Sequence, residues 1–167
     1  VRIWDLASQT VKREIAAHPG GVCVVANMNA PGQVVIAGSK DAVARASERA
    51  KQLGARRAIP LPVSAPFHCA LMRPAEARLA PELRALRVAD PAVPVVANVD
   101  AEVKRTAAES IEALVKQVSA PVRWEDVMRR LASEGVHKYV EVGPGTVWTG
   151  LGRRILKDAG FANIEDP

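Results

Sequence analysis

The sequence predicts an α/β protein in two parts, and two patterns along the chain support this. Over residues 1–63, short apolar strands and helices follow one another in the order β-α-β-β-α-β. Over residues 64–167, longer helical segments separate apolar strands. The first order is that of a ferredoxin-like lobe, and strands alternating with helices indicate a parallel sheet. We therefore expect a small ferredoxin-like lobe followed by part of a parallel-sheet core.

The elements of the small lobe follow from apolar runs, caps and turns. The predicted strands cover residues 1–6, 22–26, 34–37 and 58–63, and the predicted helices cover residues 10–17 and 42–53. Ser8 and Ser39 are suitable N-caps for these helices, and Gly54 is a suitable stop. The turn Asn29-Ala30-Pro31-Gly32 joins the second and third strands. Because the two strands flank a short turn rich in turn-forming residues, they should form a hairpin.

Helical periodicity and apolar runs also define the second part. One predicted helix has Leu79, Leu83 and Leu86 on one side. Three further helices are predicted over residues 109–118, 124–134 and 147–157. The predicted strands cover residues 93–97 and 138–142. Pro91 and Pro94 favour a sheet edge or strand start for the first of these strands. Gly143-Pro144-Gly145 should form a tight turn from the last strand into the last helix.

Composition and charge narrow the function classes. The chain has 167 residues, of which 49% are hydrophobic and 25% charged, as in a soluble globular protein. Its net charge of +5 comes from scattered bases, and no nucleic-acid-binding motif accompanies them. No apolar run is long enough to span a membrane. We therefore expect neither nucleic acid nor a membrane as a partner.

The two cysteines, Cys23 and Cys69, lack the spacing of a zinc site or a disulfide framework. We therefore expect free or structural thiols in a reducing cytoplasm.

His68 is the strongest candidate for chemistry, because it lies between an extended apolar segment and the start of a helix. An imidazole there can accept a proton from a nucleophile and return it to a leaving group. By itself, a single histidine is more often structural, and His18 and His137 are expected to be so.

Five motifs occur in a fixed order from about residue 21 to residue 155. They are NMNAPGQVVIAG at 27–38, VSAPFHCALM at 63–72, VVANV at 95–99, Gln117 with PVRW at 121–124, and EVGPG at 141–145 with Gly150-Leu151. In this order they resemble the malonyl-CoA:acyl-carrier-protein transacylases, which load malonyl groups for fatty-acid and polyketide synthesis. The resemblance implies that residues 64–167 are the C-terminal part of an α/β-hydrolase-like, parallel-sheet acyltransferase core.

The resemblance also implies roles for four residues. His68 would be the general base, protonating the departing CoA thiolate and then deprotonating the pantetheine thiol of the carrier protein. Gln117 would orient His68 through its backbone carbonyl, in the place of the aspartate of hydrolase triads. Asn29 would line the acyl pocket, although it could instead hydrogen-bond within its own turn. Phe67 would favour malonyl over methylmalonyl groups by crowding an α-methyl group.

The implied substrate is malonyl-CoA and the implied partner is acyl carrier protein. No cofactor and no metal are expected, because the phosphopantetheine is carried by the partner.

The family places its nucleophile elbow, Gly-His-Ser-x-Gly, before the ferredoxin-like lobe. No Gly-x-Ser-x-Gly occurs in the 167 residues. Ser39, Ser64 and Ser119 are therefore interpreted as a cap, a loop hydroxyl and a helix end. We expect this chain to be inactive in acyl transfer by itself, and an N-terminal fragment could supply the missing core.

Two other hypotheses remain open. The chain could be a non-catalytic module that binds an acidic carrier protein through Arg56, Arg57 and nearby bases. Residues 1–20 are atypical of the family, and VRIWDL at residues 1–6 is similar to the end of a WD repeat. They could be a divergent start or a junction with a WD-repeat scaffold.

Overall fold

The computed structural model describes residues 2–4 and 21–165. Its strands are β1 Arg2–Trp4, β2 Cys23–Ala30, β3 Gln33–Gly38, β4 Arg57–Ile59, β5 Val95–Val96, β6 Val103–Lys104, β7 Lys138–Val142 and β8 Gly160–Ile164. Its α-helices are α1 Lys40–Gln52, α2 Arg73–Ala85, α3 Ala107–Gln117, α4 Trp124–Ser133 and α5 Val147–Ile155, and a 3₁₀ helix covers Ala70–Met72. The mixture of strands and helices confirms the predicted α/β class.

The first part of the chain contains a four-stranded sheet in the order β2-β3-β1-β4. Strand β1 pairs antiparallel with both β3 and β4. Strands β2 and β3 form the predicted hairpin, with bulges between Val25 and Asn27 and between Met28 and Ala30. The predicted cap Ser8 and the helix over residues 10–17 lie outside the described residues.

Helix α1 packs on this sheet through its alanines. Ala42, Ala46 and Ala50 are completely buried and contact a core that includes Val34 and Ile36. Because alanine has a short side chain, the helix can lie close to the sheet. The predicted apolar face is therefore confirmed at these three positions.

Ser39 occupies the predicted N-cap position of α1, but its side chain does not cap the helix. Its hydroxyl donates instead to the backbone oxygen of Val22, at 3.3 Å. The expectation of a side-chain cap is wrong because the neighbouring strand end provides an acceptor.

The second part contains two small sheets rather than one. Strands β7 and β8 pair in parallel, as predicted, but β5 and β6 pair antiparallel. Neither β6 nor β8 is predicted from the sequence. The expectation of a parallel sheet is therefore right for one pair and wrong for the other.

The leucines predicted to lie along one side of a helix are not a core face here. Leu79 and Leu86 are exposed, and Leu86 lies just beyond the end of α2. The buried residue of this helix is Ala80. Leu83 is partly buried, so the described residues cover the predicted face only in part.

Strand β2 joins the two parts of the chain. The amide of Met28 donates to the carbonyl of Val122 at 2.9 Å, and the amide of Val122 donates to the carbonyl of Ala26 at 2.8 Å. At the end of β2, Ala30 packs in a second buried cluster with Met128 of α4 and Leu151 of α5. These contacts fix the segment after α3 against the sheet.

In the part of the chain that the structure describes, no helix has the length and apolarity of a membrane span.

Helix α3 begins with a capping box, which supports a pH prediction. The hydroxyl of Thr106 accepts from the amide of Glu109 at 3.2 Å, and the Glu109 carboxylate accepts from the amide of Thr106 at 3.0 Å. Hydrogen bonds from Arg105 and Thr106 lower the pKa of Glu109 below its ordinary value of 4.5. The carboxylate therefore stabilises the fold above that value, and this contribution is lost as pH falls through the lowered pKa.

Glu109→Gln keeps an acceptor for the capping box but removes the charge. We expect it to lower the free energy of unfolding at about pH 7 and to have little effect at an acidic pH below the lowered pKa of Glu109, where both side chains are neutral. Urea unfolding at the two pH values measures this, and an equal loss at both would contradict it.

Candidate active site

His68 lies in the loop between β4 and the 3₁₀ helix, and it is half-buried. Its φ angle is 60°, in the left-handed region that non-glycine residues adopt infrequently. Such backbone conformations persist where surrounding contacts hold them, often at functional sites. The ring nitrogen Nδ1 lies 3.0 Å from the backbone oxygen of Gln117. The structure thus brings together the two residues that the resemblance makes catalytic.

The carbonyl of Gln117 is available because of the sequence that follows it. Helix α3 ends at Gln117, and the last carbonyls of a helix lack an intrahelical donor. The amide of residue 121 would be the next donor in an α-helix, but Pro121 has no N–H. The amide of Ala120 donates instead to Lys116, at 3.0 Å. An acceptor therefore remains at the helix end, and His68 occupies it.

The side chain of Gln117 makes different hydrogen bonds from its backbone carbonyl. Its amide nitrogen Nε2 lies 3.0 Å from the oxygen of Ala120 and 3.3 Å from that of Pro121. Both are donated hydrogen bonds within the turn that follows α3. The side chain therefore holds the turn together, and the backbone oxygen alone faces His68.

The hydrogen bond to Gln117 determines the tautomer of His68. A carbonyl oxygen can only accept, so Nδ1 must carry the proton that this bond uses. In the neutral ring, Nε2 then has a lone pair and can accept a proton. In this tautomer, Nε2 of His68 is the ring nitrogen that can accept a proton.

Cys69 is a structural residue of the site that the sequence does not reveal as such. Its side chain is 1% exposed, and its thiol donates to the backbone oxygen of Pro66 at 3.0 Å. The contact closes the loop around His68. The available signal is a cysteine directly after the histidine, although a free thiol fits many other environments.

Asn29 and Phe67, the two predicted pocket residues, lie in different surroundings. Asn29 is buried near the end of β2, and its Oδ1 has no hydrogen-bond partner among the described residues. A buried polar atom is costly unless it is paired, so this oxygen is a suitable contact for a ligand. Phe67 is 47% exposed, so it does not close a pocket within the described residues.

Glu141 is a further residue that the sequence did not single out. Its carboxylate accepts from the amides of Trp148 and Thr149, at 3.0 and 2.7 Å, in the first turn of α5. Desolvation raises its pKa, but these hydrogen bonds outweigh that effect and lower it. The contact fixes the predicted turn at residues 143–145 between β7 and α5.

A groove lies beside the candidate site and not at it. It has a volume of about 1230 Å³ and lies between α1 and the extended segment up to Pro66. Its basic lining residues include Lys40, Arg45, Arg49 and Lys51. Within residues 2–4 and 21–165, no group of three or more acidic, histidine or cysteine side chains is arranged to hold a metal.

The candidate site thus consists of a half-buried histidine held by a helix-end carbonyl on an α/β scaffold. The profile of the acyl transferase domain matches residues 5–165. The chain therefore belongs to the acyl transferase domain family, which confirms the resemblance drawn from its motifs.

Individual relatives agree with this assignment. The chain is 48% identical to the malonyl CoA-acyl carrier protein transacylase of Salmonella typhimurium, over 89% of this chain and 48% of that protein. It superposes with a TM-score of 0.94 on an acyl carrier protein S-malonyltransferase from Vibrio cholerae, at 43% identity over 99% of this chain and 55% of the other.

A third relative is a malonyl-transacylase solved in complex with its type II PKS acyl-carrier protein. Its TM-score is 0.89 at 41% identity, over 99% of this chain and 53% of the other. The chain spans about half the length of the curated relatives that it matches.

Proposed function

We propose that this chain carries the general base of a malonyl-CoA:acyl-carrier-protein transacylase. The observation that carries the proposal is the hydrogen bond between Nδ1 of His68 and the Gln117 carbonyl, which leaves Nε2 as the proton acceptor. The family membership and the names of the relatives supply the reaction class. The fatty-acid and polyketide pathways both use this reaction.

The reaction consists of two acyl transfers that each need a base and an acid. In the first, Nε2 of His68 takes the proton of a serine hydroxyl as the serine oxygen attacks the malonyl thioester, and CoA leaves as a thiol after receiving that proton. In the second, Nε2 takes the proton of the pantetheine thiol, and the serine oxygen recovers a proton when its ester bond breaks. The Gln117 carbonyl stabilises the positive charge that the ring gains in each step.

The architecture within this proposal is a ferredoxin-like lobe over residues 1–63 and the C-terminal part of an α/β-hydrolase-like core over residues 64–167. The strand order β2-β3-β1-β4 supports the lobe, because a ferredoxin-like sheet has this antiparallel order. The pairing of β1 with β3 and β4 supports a divergent start over residues 1–20 rather than a WD-repeat junction. The parallel pair β7-β8 supports the core.

A further polypeptide segment would complete that core. Val140 and Val142 are 54% and 78% exposed, and β7 has a strand partner on one side among the described residues. Exposed apolar strands with a free edge favour pairing with another strand. These features support a further segment that pairs with β7. Its N-terminal position, its serine nucleophile and the inactivity of the chain alone are what the family resemblance implies.

Substrate and partner complete the proposal. Asn29, with its unpaired buried oxygen, would contact the acyl group, and Phe67 would limit substituents at its α-carbon. Acyl carrier protein would dock beside Arg56 and Arg57, which are exposed next to the groove with the basic lining. We place the reaction in the cytoplasm, since Cys23 and Cys69 are both free thiols.

A chimera tests this function. This chain would replace the segment that it matches in the Salmonella typhimurium relative, whose remaining half supplies the rest of the enzyme. We expect the chimera to transfer malonyl groups from malonyl-CoA to acyl carrier protein, and the chain alone to transfer none. The measurement is the formation of malonyl carrier protein, resolved by mass spectrometry.

Two outcomes would count against the proposal. A folded chimera without transfer would reject it, and carrier-protein binding by the chain under those conditions would favour the non-catalytic module instead. Transfer by the chain alone would show that a nucleophile is present within these residues.

A further inference from the structure

Glu76 contacts the turn that carries Gln117. Glu76 lies in the first turn of α2, and the hydroxyl of Ser119 donates to its Oε2. Ser119 lies in the turn directly after α3, next to the carbonyl that faces His68. Glu76 belongs to the continuous stretch that begins with His68 and runs through the 3₁₀ helix into α2. The stretch from His68 into α2 is therefore joined to the end of α3 and its following turn by two contacts. One is between His68 and Gln117, and the other is between Glu76 and Ser119.

The turn after α3 is anchored to the sheet beyond Pro121, at Val122, and the contact with Glu76 is a second anchor closer to Gln117. Helix ends fray, and Pro121 denies this one a further backbone hydrogen bond. The Gln117 side chain binds carbonyls of its own turn, so it holds the turn together without fixing it relative to His68. The contact between Ser119 and Glu76 crosses from this turn to the segment that carries His68.

The chemistry of this contact suits a holding role. All three side chains involved, those of Glu76, Gln117 and Ser119, are partly buried. A hydroxyl that donates to a carboxylate makes one of the stronger hydrogen bonds in proteins. The bond therefore fixes the turn more firmly than a contact between neutral groups would.

We propose that Glu76 is a positioning residue for His68. Through Ser119, it holds the Gln117 carbonyl where that oxygen can accept from Nδ1, and so it keeps the proton on Nδ1 and the lone pair on Nε2. This inference rests on the proposed function, in which His68 is the base.

A second contact between α2 and α3 provides a control. Arg84, toward the other end of α2, forms a bidentate ion pair with Glu112. The distances are 2.7 Å from Nε to Oε1 and 2.9 Å from Nη2 to Oε2. It joins the same two helices but does not involve the turn at Gln117. Glu112→Ala should therefore alter the packing of α2 on α3 without changing the tautomer of His68.

The test measures the tautomer of His68 in the ¹⁵N-labelled chain by long-range ¹H–¹⁵N NMR, with its signals assigned by their loss in His68→Asn. We expect Glu76→Ala and Ser119→Ala to lower the ratio of the Nδ1–H to the Nε2–H form about two- to tenfold, the effect of losing one ordinary hydrogen bond. Ser119→Thr retains the hydroxyl and should preserve the ratio, as should Glu112→Ala.

Two results would overturn the inference. One is an unchanged ratio in folded Glu76→Ala or Ser119→Ala, and the other is an equal fall in Glu112→Ala, which would indicate general loosening of the helix pair. If Glu76→Ala does not fold, the two Ser119 variants decide. If the ratio falls as expected but the chimera with His68→Asn still transfers malonyl groups, the positioning role stands and the proposed function fails.

Discussion

Replacing His68 by asparagine in the chimera is expected to slow malonyl transfer by about 10²–10⁴-fold, the usual contribution of a general base. Asparagine is chosen because its amide N–H can still donate to the Gln117 carbonyl, while it has no group that takes up a proton near neutral pH. The substitution thus removes the base and retains the contact that holds the loop. Both the loading of malonyl from CoA and its passage to the carrier protein should slow, because each needs a proton acceptor.

His137→Asn is the matched control for this variant. His137 is exposed in the loop before β7, and no role in the site is assigned to it. Initial rates of malonyl carrier-protein formation should therefore be unchanged in His137→Asn, and circular dichroism should show both variants folded. A loss of less than about tenfold in His68→Asn would contradict the role of His68 as the general base.

The parts of this site that could be predicted are those encoded by short segments. The motif around His68 and the helix end at Gln117 both lie in continuous sequence, and their pairing follows from the family resemblance. Pro121 is also readable, because it marks where α3 loses its backbone donors. The observed distance between His68 and Gln117 agrees with the expected arrangement.

The parts that could not be predicted depend on contacts between distant segments. The bond between Ser119 and Glu76 leaves no local pattern, since either residue alone is an ordinary surface polar group. Strand β8 has no alternating pattern and is defined by its pairing with β7. Ser39 is a residue type that often caps helices, yet its hydroxyl donates to the backbone oxygen of Val22, just before β2.

Gly38→Ala is expected to lower the free energy of unfolding by about 3 kcal/mol or more, the largest stability effect that we predict. Gly38 ends the motif at residues 27–38 and pairs with Cys23 across the hairpin. Its φ angle is 156°, and a β-carbon there would lie 1.9 Å from the backbone oxygen of Val22. That oxygen also accepts a hydrogen bond from the amide of Ser39, at 2.8 Å. If it moved away from the new β-carbon, this hydrogen bond at the start of α1 would be lost.

Gly54→Ala is the control that distinguishes the steric clash at Gly38 from the strain of placing alanine at a positive φ angle. Gly54 has a φ angle of 92°, but nothing lies within 4 Å of a β-carbon built on it. It should therefore cost only the strain of a left-handed alanine, about 1–2 kcal/mol. Urea unfolding of both variants measures the difference, and equal losses would contradict the clash. The clash implies that the final glycine of this motif is required by the hairpin. Asn29 in the same motif has an unpaired buried oxygen, and its contact with an acyl group is part of our proposal.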